Sequence, residues 1–439
     1  MKEQKGFRDY ANELLDFIAQ SPSCYHVAAN LAERFLKAGF EELKETDDWA
    51  LEPGGKYFVT RNDSSVIAFG LPEVEVKGLH MAAAHSDSPT FKLKEKPEEV
   101  SDRKYLKLNT EQYGGMILST WFDRPLSVAG RVAVLKQKKI VSKLVNIDKD
   151  LLAIPSVAIH MNREINKGIE YNPQVDLLPL YAALAEETQD VSGMLAGEVA
   201  EYLGVKPEKI LGQDLYLYVR EHGKIFGRDG EFIISPKLDD LASVYACAEA
   251  FVSVSPKDYI SLLAVFDNEE VGSRTRQGAD STFLEDTIER ICDYLAVQYG
   301  ETNPRILQQK LLADSFLISA DNAHAVHPNH PEKADPTNRP YLNGGIVIKY
   351  HGGQKYTTDA VSAARMKALC ARAGVPYQTY ANRSDIPGGS TLGNLSASHV
   401  AVSSVDIGLP QLAMHSAVET GGVRDIAYAV KVLQEFFKE

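Results

Sequence analysis

The run Leu79-His80-Met81-Ala82-Ala83-Ala84 is almost wholly apolar and stops abruptly at His85-Ser86-Asp87. A strand that reads this way has both faces buried, which places it centrally in a sheet covered by helices on two sides. The flanking sequence agrees. Tyr10, Leu14, Phe17 and Ile18 recur at helical spacing, Ser21-Pro22-Ser23 breaks the pattern, and a second amphipathic helix is expected near 27–38. Strand-like runs at 57–60 and 65–69 precede the apolar strand.

From about 91 to 233 the texture changes. Tyr105-Leu106-Lys107-Leu108 and 130–135 alternate as half-exposed antiparallel strands do, with only one or two helices among them, and Ser156 to Arg163 also reads as a strand. After Ser235 the pattern returns to alternation: helix 239–252, strand 260–266, helix 284–299, strand 316–320, helix 358–373, strands 375–381 and 404–407, and a closing helix 422–437. At 439 residues the chain is longer than a single core usually supports. The expected fold is α/β, with a mixed-sheet core sandwiched by helices and formed from 1–91 and 234–439, interrupted by a β-rich domain at 92–233.

Composition narrows the function. With 47 Lys and Arg against 60 Asp and Glu, the net charge of -13 disfavours nucleic acid and anionic lipid as partners. No apolar run approaches the ~18 residues of a membrane span, and MKEQKGFRDY lacks the apolar segment of a signal peptide, so a cytoplasmic location is expected. Cys24, Cys247, Cys292 and Cys370 show no CxxC spacing and read as buried thiols rather than a disulfide framework or a thiolate zinc site.

Ligand-type residues recur where strands end, the edge at which open α/β sheets bind ligands. His85 and Asp87 leave the apolar strand, and their spacing allows the imidazole to bind a metal while the carboxylate holds its other nitrogen. Asp239 and Asp240 open a helix in PKLDDLAS, where capping is one role and bridging two cations another. Glu269 and Glu270 follow 261–266, a strand; such a pair is either a solvated turn or one ligand beside one general base. Asp321 follows 316–320, and His415 follows Leu412-Ala413-Met414. Each motif alone has an ordinary structural explanation, but together they point to imidazole and carboxylate ligands suited to Zn²⁺, Co²⁺ or Mn²⁺. The set His85, Asp239, Glu270, Asp321 and His415 is larger than one catalytic zinc usually takes from protein, which implies two ions sharing a carboxylate.

These segments, with SPSCYH at 21–26, AHSDSP at 84–89, SPKLDDL at 235–241, FDNEEVGS at 266–273, ADNAHAVHPN at 320–329 and MHSAVET at 414–420, resemble the aspartyl aminopeptidase family, which includes the vacuolar-type aminopeptidases. The likeness covers nearly the whole chain. It implies a two-metal, zinc-dependent peptidase core whose β-rich insert is a dimerisation domain, often in a homo-oligomer built as a tetrahedral dodecamer around an internal chamber. It also implies that His85 and Asp321 serve one ion, Glu270 and His415 the other, and that Asp239 bridges them. Glu269 would be the base that deprotonates a water, and Asp87 would orient His85. His160 would hold substrate in a neighbouring subunit's site, and Lys349 would be a basic residue of the substrate pocket, with Asp or Glu preferred at the peptide N-terminus; a plain surface lysine at a strand edge is the other reading of Lys349.

The chain departs from the family pattern in three places: Asp240 stands where Asn is common, Cys24 replaces a frequent Pro, and HGGQKY at 351–356 replaces an Asn-rich segment near the substrate pocket. A related two-metal carboxypeptidase or N-deacylase shares the same metal chemistry. A catalytically silent, metal-stabilised assembly protein is a second alternative, although it would have no need of Glu269 beside Glu270.

Overall fold

The computed structural model describes residues 5–185, 188 and 190–439. Two compact units emerge. The first comprises 1–87, 223–414 and 419–439, and the second 88–222 with 415–418.

The first unit is organised by a nine-stranded sheet. Its order is Glu41–Leu43, Lys56–Arg61, Ser65–Gly70, Tyr259–Phe266, Gly78–His85, Phe316–Ala320, Ser403–Gly408, Ile346–Tyr350 and Tyr377–Ala381. The apolar strand is therefore central, and every residue of Gly78–His85 is buried. Alternation explains its composition: Ala82 and Ala84 face one hydrophobic layer, while Leu79, Met81 and Ala83 face the other. The first layer packs helices Phe7–Gln20, Cys24–Lys37, Leu238–Ser253, Ala360–Ala373 and Val423–Lys438 onto the sheet, and Phe283–Tyr299 covers the opposite face.

Tyr259–Phe266, Gly78–His85, Phe316–Ala320 and Ser403–Gly408 are mutually parallel neighbours. Their registers pair Phe266 with His85 and Ala320 with Ile407, so their carboxyl ends share one edge. A smaller five-stranded sheet holds Pro410–Leu412 and Glu419–Gly422. The strand before His415 thus belongs to this sheet and not to the large one.

The second unit is a six-stranded antiparallel sheet with the short helices Pro173–Asp176 and Met194–Leu203. Its inner face buries Phe91, Leu108, Trp121, Val128 and Leu217. Ser156 to Arg163 is not the expected strand but a loop with turns, exposed over much of its length. Its apolar residues, Val157, Ile159 and Met161, are themselves exposed, so the alternation there reflects no packed face. Helix Pro304–Ala313 and strand Ile346–Tyr350 were not expected from periodicity. Among the described residues no helix is long and apolar enough to cross a membrane.

Gly408 shows how tightly the sheet edge is set. A Cβ there would lie 2.2 Å from the carbonyl oxygen of Asp321. Gly408→Ala is expected to destabilise the metal-free protein by about 1–3 kcal/mol, the usual penalty of overpacking, read as a lowered denaturation midpoint. An unchanged midpoint would show that this edge has slack.

Candidate metal centre

His85, 1% exposed, closes the central strand. Its Nε2 lies 3.6 Å from Asp239 Oδ1 and 3.9 Å from Asp321 Oδ1. Its Nδ1 faces Asp87, 3.1 Å from the carbonyl oxygen and 3.4 Å from Oδ1. Sequence spacing assigns this contact to the carboxylate, whereas the shorter one is to the backbone. Both partners accept, so Nδ1 carries a proton, and Nε2 is the nitrogen directed at the two aspartates.

The Asp87 carboxylate spends its oxygens elsewhere. Oδ1 accepts the Glu269 N–H and Oδ2 the Glu270 N–H, each at 3.1 Å. Glu269–Val271 is a single 3₁₀ turn, entered through Asn268 at φ 63° and left through Gly272 at φ 99°. Asn tolerates the left-handed region, and Asn268 Oδ1 is held by Thr275 Oγ1 and Gln277 Nε2, both at 2.7 Å. One oxygen of each glutamate and one His85 nitrogen lie within 4.8 Å of one another.

Asp239 and Asp240 begin helix Leu238–Ser253 with non-helical dihedrals, and no side chain caps this helix. His85, Asp239, Asp240 and Asp321 each offer a ligand atom within the same 4.8 Å limit. Asp240 Oδ2 accepts the His85 N–H at 3.3 Å, while its fully buried Oδ1 has no hydrogen-bond partner.

Crowding shifts the ionisation of Asp240, Glu269, Glu270, Asp321 and His85. Burial, then neighbouring acids, pushes Asp240 well above the carboxylate range. Burial and Asp239 do the same to Glu270. Burial raises Glu269 to about 7, opposed by His85 and reinforced by Asp321. Asp321 is raised by burial and only partly restored by Lys349. Burial disfavours charge on His85, yet Asp239 and Asp87 outweigh it and hold the imidazole pKa well above normal. An excess of buried negative charge with an unpartnered carboxylate oxygen is what a divalent cation relieves. The nitrogen and oxygen donors fit zinc, cobalt or manganese.

Lys349 is neither at a strand edge nor on the surface. Its strand lies between Ser403–Gly408 and Tyr377–Ala381, and the residue is 2% exposed. Nζ donates to the Asp321 carbonyl at 2.8 Å and the Asn322 carbonyl at 3.4 Å, and lies 3.4 Å from Asp321 Oδ2. Burial opposes its charge, but the Asp321 carboxylate keeps its pKa above the usual lysine value.

The first unit thus gathers His85, Asp87, Asp239, Glu269, Glu270, Asp321 and Lys349. His415 and His160 belong to the second unit. His415 is half-buried in a left-handed turn at φ 65°, and His160 lies exposed in a turn. Sequence reasoning assigned no role to Asp267, Asn322, Gln411 or Glu419, all buried. Three of them sit inside the quoted motifs, where neighbouring ligand-type residues drew the attention; Gln411 had no signal.

Residues 17–437 match the profile of the aminopeptidase I zinc metalloprotease (M18) family. The chain is 48% identical over 433 residues to a probable M18 family aminopeptidase 2 of Clostridium novyi, covering 98% of each sequence. A namesake from Clostridium acetobutylicum is 47% identical with the same coverage. Among solved structures, Ape4 in its complex with Nbr1 superposes with a TM-score of 0.92 at 36% identity, over 98% of this chain and 86% of that one. The S. cerevisiae mApe1 dodecamer gives 0.83 at 29% identity, over 98% and 97%.

Zinc added to metal-free protein is expected to raise its melting temperature, by the equivalent of about 3 kcal/mol at a hundredfold excess over Kd. Calorimetry with and without zinc measures this. A melting temperature indifferent to zinc would count against a metal centre at these residues.

Proposed function

The chain belongs to the aminopeptidase I zinc metalloprotease (M18) family, whose members release N-terminal residues from peptides, and on that premise we propose that two divalent ions sit at the edge described above. The observation that carries this reading is the set of acidic side chains buried around the His85 imidazole. In this reading His85 and Asp321 would hold one ion and Glu270 and His415 the other, with Asp239 as the carboxylate they would share. When bound, zinc supplies Lewis-acid chemistry, acidifying a water and polarising the scissile carbonyl.

The chain's own groups do the rest. Glu269 accepts the proton of the attacking water and delivers it to the departing amine, a task suited to a carboxyl raised to about 7. Asp87 fixes the backbone of Glu269 and Glu270 while its carbonyl and carboxylate orient His85. Asp or Glu is the proposed N-terminal preference. Lys349 supplies positive charge for it at long range, because its hydrogens are committed to Asp321 and Asn322.

Assembly is proposed as dimer-based, with the β-rich unit as the dimerisation element and the tetrahedral dodecamer as its largest form. The dodecameric mApe1 relative supports this, and an exposed His160 suits a residue reaching a neighbouring subunit's substrate. A cytoplasmic location agrees with four free, buried cysteines.

Glu269→Gln is expected to lower turnover by roughly 10²–10⁴ while retaining metal, whereas Glu270→Gln loses metal as well. Equal metal content in the two variants would mean that their roles are wrongly assigned. Metal analysis of saturated wild-type protein should give two ions per chain; one ion would remove the bridging role of Asp239. The substrate reading is tested with Asp-, Glu-, Leu- and Ala-amides, alongside N-acetylated controls. Lys349→Met should lower the Asp/Leu ratio of kcat/KM, and an unchanged ratio would end its part in selectivity.

A further inference from the structure

Four buried polar side chains that the proposed chemistry does not use form one connected chain behind the carboxylates. Glu419 Oε2 accepts the Asp239 N–H at 3.0 Å, and its Oε1 accepts Gln411 Nε2 at 3.3 Å. Gln411 Oε1 accepts Asn322 Nδ2 at 2.7 Å, and the same Nδ2 donates to the Leu238 carbonyl at 2.7 Å. Asn322 Oδ1 accepts the Ser243 hydroxyl at 3.3 Å. Glu419 and Gln411 are 2% exposed, Ser243 3% and Asn322 4%.

The direction of this chain is forced by its ends. The Leu238 carbonyl can only accept, so the amide group of Asn322 must face it. The Gln411 oxygen must then face Asn322, which turns the Gln411 amide group toward Glu419. The Asp239 N–H can only donate, so Glu419 receives a donor on each of its two oxygens. Amide orientations that coordinates alone leave ambiguous are fixed here by two backbone groups.

The grip is on both ends of one peptide group, the Leu238 carbonyl and the Asp239 N–H, which fixes the plane from which Asp239 departs. Asp239 has non-helical dihedrals that helix hydrogen bonding does not maintain. We infer that Glu419, Gln411 and Asn322 are positioning residues that hold the Asp239 backbone in the orientation from which its carboxylate meets metal. This rests on the reading of Asp239 as a ligand.

The forced order supplies its own test. Glu419→Gln leaves one amide end facing a donor, because glutamine can accept through only one atom. Gln411→Glu with Glu419→Gln restores a complete order: Asn322 donates to Glu at 411, Gln at 419 donates to its other oxygen, and Asp239 donates to the Gln oxygen. Zinc affinity of the full chain, measured by competition with a chromogenic chelator, is expected to fall about 10- to 100-fold in Glu419→Gln. The double variant should return to within a few-fold of wild type.

Melting of the metal-free proteins separates positioning from bulk stability. A lower melting temperature with wild-type zinc affinity in Glu419→Gln would overturn the inference. A double variant no better than the single would do the same, and should the single variant fail to fold, the double variant's affinity decides alone. Asp239→Asn is the control: lost affinity there beside intact affinity in Glu419→Gln refutes only the positioning role. Retained affinity in Asp239→Asn refutes the ligand reading and the inference with it.

Discussion

Asp239, Asp240, Glu270 and Asp321 hold their carboxyls close together, largely out of water, around one imidazole, and the rest of the core is arranged to tolerate this. Like charges at such separations repel strongly where water cannot screen them. The protein answers with fixed groups before any ion arrives. His85 is held ready for a proton by Asp239 and Asp87, and Lys349 lies against Asp321. Two cationic side chains cannot balance this many acids. The carboxyls of Asp240, Glu270 and Asp321 are accordingly pushed toward their neutral forms, and a bound divalent cation would have to displace those protons, which would couple metal affinity to pH.

The sheet makes that crowding affordable by placing each acid on a rigid support. Parallel strands bring their carboxyl ends to one edge, so His85 and the residues after Phe266 and Ala320 emerge together without a long loop among them. Glu269 and Glu270 need one further device, because a 3₁₀ turn has little hydrogen bonding of its own. Asp87 provides it by accepting both N–H groups. A carboxylate that could have served as a ligand is thus used as a backbone clamp, and its carbonyl takes over much of the task of holding His85.

The sequence made the core legible where residue type and burial coincide. A wholly apolar run ending in His85 defined both the central strand and the position of the site, and 316–320 was read with its structural limits. Alternation misled at Ser156 to Arg163, because period-two patterning marks a strand only when one face is buried. The surface-edge reading of Lys349 fails for a related reason: its strand has an antiparallel neighbour on one side and a parallel one on the other, an arrangement that local sequence does not encode. Ligands were easier to read than their supports. Asp239 belongs to a residue type with known metal chemistry, whereas Gln411 acquires meaning only from the two groups it joins.

That difference bears on how Asp240 should be understood. Its backbone neighbour Asp239 is gripped by Glu419, while Asp240 itself reaches back to the His85 N–H with one oxygen. An asparagine at this position would keep an oxygen acceptor for that N–H and remove a negative charge from the crowded edge. The aspartate therefore adds little to the fold that an amide would not supply, and costs more in repulsion. What it adds is a second carboxyl oxygen at the crowded edge, on a group that burial and its acidic neighbours hold toward the neutral form.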